Sequence, residues 1–504
     1  MSETQSEKTV KPEFNKIQSV LWPVHGYEMK KFLPMSILMF CILFVYTMVR
    51  DLKDVFIQKY AVCGGTELIP VLKLWFVMPA AFLVVMLFTF LVNKFGTKNT
   101  FYIMVSIFMA FYVIFLFVLF PNADSLHLSA EKVKSMQQSA PGVFFYVIPC
   151  LTNWSYTLFY IFSEIWGTMA ISSLFWQFAN QITKKNEVKR FFSLYALIGN
   201  IGVFLSGTAL EAMSKHAPSK EVFDNNVKIL IGFCIFFCVA SMAIYYYIHN
   251  VIMTDPRFYD PSDVKVAKKK EKMGVMDGIK FLFTSPYLLL VCVLVLAYGI
   301  SINFTEVVWK EQMRATLTNA NDYSGMMGRL SQFTAIFTIT ATLLSTNILR
   351  RFSWKISAII TPMMMLLLGG AFFALIVYGK MGGTYLFGMS VPFLAIWIGL
   401  FVDALVKSVK YCLFDSTKSM AYIPLDADTR VKGQAAVEVI GGRAGKAGAS
   451  AINYTLTNVI SVGSKISAHL GIIIPLFAVS VIGWLMSVVG LSKKYEEKVA
   501  EQNK

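Results

Sequence analysis

The chain has 504 residues, of which 56% are hydrophobic and only 15% charged, against roughly a quarter charged in a soluble domain. That balance excludes an ordinary soluble enzyme. About a dozen apolar runs, each of roughly the 20 residues that cross a hydrocarbon layer, define a polytopic helical membrane protein. The net charge of +16 would suggest nucleic acid as partner of a soluble protein; here it reflects basic cytoplasmic loops, and no nucleic-acid partner is expected.

In chain order, a polar segment of mixed charge, 1–32, precedes the first span and has no apolar core leading to a cleavage site, so no signal peptide is expected. Spans are expected at about 33–54, 68–92, 100–120, 143–182, 191–212 and 227–249. No polar break divides the run 143–182, which reads as one long tilted helix. The charged segment 250–285, with Pro256 and Pro261, reads as a cytoplasmic linker. A second set follows at about 286–305, 325–349, 356–378, 384–422, 434–460 and 468–490, then a charged tail, 491–504. The expected fold is an all-α membrane protein of twelve transmembrane helices in two six-helix halves, 33–249 and 286–490. It is major-facilitator-like, with its site between the halves near the midplane. Lysine and arginine concentrate in the loops that would be cytoplasmic if the N-terminus is, which puts both termini inside.

Charges at bilayer depth cost at least about 2.5–3.5 kcal/mol each on insertion scales, so a chain keeps several only where they face a wet cavity or one another. Span 1 carries Arg50, Asp51, Lys53 and Asp54 near its end, read either as a gate and anion contact or as an interfacial cluster. Glu164 sits mid-span 4 with no lysine or arginine within two turns on its own helix, so it must find a cation elsewhere or be protonated. Glu306 is its counterpart in the second half, with Lys310 four residues on, a spacing that also serves plain helix stabilisation. In the late spans Asp403, Lys407 and Lys410 share a face. Lys407 is expected to pair with Asp403, leaving Lys410 freer. Arg443 and Lys446 lie three apart in GGRAGKAGAS, where small residues allow close helix approach. The excess is positive, so the cavity should hold something negative.

GGRAGK followed by Ala447 imitates a phosphate loop but lacks its full spacing, its magnesium-binding hydroxyl and its preceding strand. The five histidines lie in loops or at span ends, and the seven cysteines form no paired metal motif. No metal, cofactor or catalytic arrangement is expected.

The stretches EIWGTMAISSLFWQFANQIT, ISINFTEVVWK, KYCLFDSTKSMAYIPLDADTRVKGQAAVEVIGG and GRAGKAGA, with LWPVHGYEMKKFLP at the start and TDPRFYDP in the linker, closely resemble the nucleotide transporters of obligate intracellular bacteria and plastids, the ADP,ATP carrier family. The resemblance covers essentially the whole chain. It departs from close ATP/ADP members at Leu52 and in FIQKY, which bears on base preference. It implies import of ATP in exchange for ADP without hydrolysis, in a bacterial inner membrane. By motif it places the important charges at Lys53, Glu164, Glu306 and Lys446; the physical reading adds Arg50, Lys410 and Arg443. A monomer is expected, with nucleotides and the lipid bilayer as partners. A proton-coupled nucleotide symporter, or an exchanger of GTP, CTP or UTP, is the alternative.

Overall fold

A computed structural model describes residues 22–184, 187–217, 219–255, 257–259 and 283–502; most of the 250–285 segment lies outside them. We label twelve long helices: α1 (Gly26–Tyr60), α2 (68–95), α3 (97–119), α4 (Trp154–Ile182), α5 (Val188–Lys215), α6 (Lys220–Ile252), α7 (Pro286–Thr316), α8 (Ala320–Arg351), α9 (Trp354–Lys380), α10 (Val391–Ala421), α11 (427–460) and α12 (Ile466–Glu501). Nine stretches among the described residues are long and apolar enough to cross a membrane. One of them, Leu68–Leu119, contains both α2 and α3 and folds back at Gly96, whose φ of 75° a side chain would resist. Helices α8 and α11 are not among the nine, α8 being rich in threonine and serine and α11 in glycine and charge.

Helices suit these runs because lipid offers no hydrogen bonds to exposed backbone. Their starts carry local signals. Ser219, Ser285, Ser353 and Asp426 each accept a hydrogen bond from an N–H in the first turn of α6, α7, α9 and α11. Pro286 and Pro392 sit in the first turns of α7 and α10, where a missing N–H costs nothing.

Two expected helices are shorter than their apolar runs. The run 143–182 is not one helix: it breaks at Asn153. The Asn153 side chain accepts a bond from the N–H of Val62 and donates to the carbonyls of Val62 and Pro149, so a tertiary tie overrides the local pattern. The run 384–422 starts as a hairpin of β1 (Tyr385–Leu386) and β2 (Met389–Ser390), and α10 begins only at Val391. The last helix continues to Gln502 through the charged tail.

The halves α1–α6 and α7–α12 meet chiefly where α5 packs on α8 and α2 on α11. The α5–α8 seam is close enough to require glycine: a Cβ on Gly328 would stand 2.6 Å from the carbonyl oxygen of Gly207.

Candidate functional site

Seven residues before its end, α1 presents Lys53 and Asp54, both 2% exposed or less. At 1.5 Å per residue this is about 10 Å below the helix end. Lys53 Nζ lies 3.1 Å from Glu164 Oε1 of α4 and 3.1 Å from Asp54 Oδ1. Asp54 Oδ2 lies 2.8 Å from Lys310 Nζ of α7, which pairs in turn with Glu306 Oε1 at 2.6 Å. The result is one alternating chain, Glu164–Lys53–Asp54–Lys310–Glu306, that crosses from one half of the molecule to the other. The Lys53 ammonium also stands 4.0 Å from the centre of the Tyr160 ring. Buried ions are tolerated only when each has partners of opposite charge, and this alternation supplies them.

Exposure within the chain is uneven. The side chains of Lys53, Asp54 and Lys310 are at most 3% exposed, whereas Glu164 and Glu306 keep 32% and 20%. The glutamates therefore meet water and the lysines lie beneath them.

The other sequence candidates are distributed around this centre. Arg50 pairs with Asp51 at 3.1 Å and donates to Ser331 Oγ of α8 at 2.9 Å, while Ser331 donates to Asp51 Oδ2. Lys407 pairs with Asp403 at 2.7 Å, as its spacing suggested. Lys410 is not the freer cation. It lies 2.9 Å from Asp415 and 4.6 Å from the centre of the Tyr411 ring. The wider π-helical turn over Lys410–Phe414 brings residues five apart together, a pairing α-helical spacing does not anticipate. Arg443 and Lys446 belong to α11, but their side chains lie outside the described residues. The close approach expected of their glycines is present: a Cβ on Gly445 would stand 2.9 Å from the Leu296 carbonyl oxygen of α7.

Sequence reasoning weighed Asp54 and Lys310 but did not foresee that they join the halves. It missed Lys73 of α2, whose charge acts on Glu306, Lys310, Glu164 and Lys53. A lone lysine in the apolar run VLKLWFV was the available signal.

Beyond the charge chain the halves lock together at the end of the molecule away from the termini. Lys59 of α1 donates to the carbonyls of Arg314 (3.1 Å), Thr318 (3.3 Å) and Leu317, which close α7. Arg314 of α7 reciprocates, donating to the carbonyls of Gln58 (3.1 Å) and Gly64 at the close of α1. Each helix thus has its unsatisfied C-terminal carbonyls capped by a cation from the other half. Glu211 of α5 holds Arg329 and Gln332 of α8 at 2.8 Å each, and Asn321 donates to the Ala217 carbonyl. Tyr454 donates to the Val143 carbonyl, and Asn458 accepts from the N–H of Tyr146.

Two six-helix halves, sealed together at one end around a buried chain of charge, define a major-facilitator-like transporter. The D-xylose–proton symporter has this fold: its structure overlays 92% of this chain and 97% of its own with a TM-score of 0.59 at 12% identity. The sequence profile of the TLC ATP/ADP transporter family matches residues 7–495. The chain is 38% identical to ADP,ATP carrier protein 1 of Chlamydia pneumoniae, over 98% of each chain. It is 39% identical to ADP,ATP carrier protein 1 of Rickettsia bellii, over 100% of each. The chain belongs to the TLC ATP/ADP transporter family.

Proposed function

We propose that the protein imports ATP in exchange for ADP by alternating access, without hydrolysis. It would do so as a monomer in the inner membrane of a bacterium that lives inside host cells. Both termini are taken as cytoplasmic, so the sealed end faces outward. The observation that carries this reading is the Asp54 bridge between Lys53 of one half and Lys310 of the other, 3.1 and 2.8 Å long. The names of the relatives, ADP,ATP carrier proteins, supply the substrate.

The chain's own residues suggest how exchange becomes obligatory. Three carboxylates hold two lysines, and Asp54 uses its two oxygens to bind cations of both halves. Opening the outer end would separate Asp54 from Lys310 and leave each buried charge with one partner in place of two, Lys53 for Asp54 and Glu306 for Lys310, which costs free energy that nothing repays in the absence of substrate. A phosphate chain arriving at Lys53 and Lys310 offers replacement anions in a cavity of lowered dielectric. It frees Asp54, and the halves can then part. Arg50, Lys410, Arg443 and Lys446 are assigned to the same phosphates, with Glu164 and Glu306 as the counter-ions that take the lysines back. ATP and ADP differ by one phosphate and can use the same cations.

The test is uptake of labelled ATP into vesicles containing the purified protein, loaded with ADP or with nothing. Uptake into loaded vesicles alone is expected. Equal uptake into empty vesicles would overturn obligatory exchange, and dependence on a pH gradient would then indicate proton symport.

A further inference from the structure

Lys73 lies in the π-helical turn Leu72–Val77 of α2, within an apolar run. This turn packs against Trp154–Trp166 of α4, which carries Glu164, and against Arg443–Thr455 of α11 in the other half. Trp75, two residues on, is fixed against Tyr454 of α11 with ring centroids 6.1 Å apart. Lys73 therefore stands on the seam between the halves and is half-buried. Among the described residues it has no hydrogen bond and no ion pair, unlike Arg50, Lys53, Lys310, Lys407 and Lys410. The groups whose charges act on it are Glu306, Lys310, Glu164 and Lys53, the outer members of the charge chain and the two lysines between them.

The charge chain poses a problem for any anionic substrate. Its exposed members are the glutamates, at 32% and 20%. An approaching phosphate meets negative charge first. Lys73 adds positive charge beside these glutamates, and among the described residues its ammonium needs no existing pair broken before it binds a new anion.

We propose that Lys73 is a docking cation of the nucleotide site: it takes the phosphate chain first and carries it past Glu164 and Glu306 to Lys53 and Lys310. The proposal rests on the reading of the substrate as a nucleoside di- or triphosphate. One charge-assisted hydrogen bond corresponds to roughly tenfold to a hundredfold in affinity.

Binding of ADP, ATP, AMP and adenosine to the purified full-length protein separates the possibilities. Lys73→Gln is expected to weaken ADP and ATP about tenfold or more and AMP less, leaving adenosine unchanged, and Lys73→Arg is expected to restore the wild-type order. Unchanged ADP and ATP affinity in Lys73→Gln would overturn the proposal. So would a uniform loss for all four ligands together with a fall in melting temperature, since that marks Lys73 as a structural counter-charge. A second measurement does not depend on that variant folding well. In Lys73→Cys, with the half-exposed Cys63 replaced by serine, ADP but not adenosine should slow modification by aminoethyl methanethiosulfonate. The modification returns a positive charge and should recover ADP binding. Equal labelling rates with and without ADP would overturn the proposal. If the wild-type protein binds no adenine nucleotide, the reading of the substrate fails instead, and the two failures are thereby distinct.

Discussion

The two ends of the molecule are built differently. At the end away from the termini the halves hold each other: Lys59 caps α7, Arg314 caps α1, and Glu211 grips Arg329 and Gln332. At the terminal end the ties stay within a half. Lys31 of α1 pairs with Glu187 beside α5 at 2.7 Å and donates to the Phe258 carbonyl. Arg190 pairs with Glu28 at 2.7 Å. In the other half Tyr287 donates to the Ala421 carbonyl and the Trp354 indole to the Thr417 carbonyl. Ties between the halves include the charge chain, the Arg50–Ser331–Asp51 bonds about one turn of α1 toward the termini, and the contacts of the sealed end. Each half is thus braced within itself at the terminal end. The sealed end thus combines the close-packed α5–α8 seam with polar contacts that can be remade.

The largest way to break this asymmetry is to remove the lysine on which both halves converge. Lys310→Ala takes from buried Asp54 its cation in the other half and from Glu306 its helix partner, and breaking a buried pair in this way is worth up to about 3–5 kcal/mol. ATP/ADP exchange is expected to fall below about one hundredth of wild type, on the scale of 1.4 kcal/mol per tenfold. Exchange above a tenth of wild type, at equal protein in the vesicles, would reduce the charge chain to a structural tie.

Asp54→Asn is expected to act next most strongly and in a different direction. The amide keeps the shape but loses the charge that binds Lys53 and Lys310 together, so the empty carrier should change state more easily. Uptake into vesicles without internal nucleotide should rise about fivefold or more over the wild-type background, an effect near 1 kcal/mol. No rise would place the lock elsewhere.

Gly328→Leu tests the seam itself. Its Cβ would stand 2.6 Å from the Gly207 carbonyl oxygen and 2.8 Å from the Glu211 nitrogen, both backbone atoms that yield little. The sealed state should be disfavoured. Tyr323, 0% exposed on α8 at that end, is the reporter. In Tyr323→Cys, Cys63→Ser protein, thiol labelling should be about threefold faster or more with Gly328→Leu added, and unchanged labelling would mean the seam relaxes in place.

How much of this was readable in the sequence follows from the range of each interaction. Lys53, Glu164 and Glu306 stand out because a charge in an apolar run carries its cost wherever the chain folds. The pairing of Asp54 with Lys310 spans 256 positions, and no local period encodes it. Lys407 with Asp403 was legible because four residues make one helical turn, whereas Lys410 with Asp415 was not, because the helix widens there. The break at Asn153 escaped notice because its cause is a contact with Val62, far back in the chain. Lys59 and Arg314 carried no signal of their own in the sequence. Their partners are backbone carbonyls, which every residue has and no sequence distinguishes.

Those two caps give the smallest effect and the finest test of the comparison. Lys59 donates to three carbonyls at the close of α7, where the helix dipole favours a cation. The site is partly exposed and glutamine retains a donor, so Lys59→Gln should remove only about 1 kcal/mol, or roughly fivefold in the balance between sealed and open states. Labelling of Tyr323→Cys should accelerate by about that factor, while exchange changes by less than about twofold, because Lys59 is not assigned to the phosphates. Arg314→Gln should behave alike. The double variant is the decisive one. Each cation orders the helix end that carries the other, since Arg314 holds the carbonyls of Gln58 and Gly64 that flank Lys59. Losing the first cap therefore already loosens the second, and the double variant should fall short of the product of the singles by more than the roughly 0.5 kcal/mol within which independent sites add. Strict additivity would mean that the two caps act as separate contacts, each contributing to the sealed end without ordering the other.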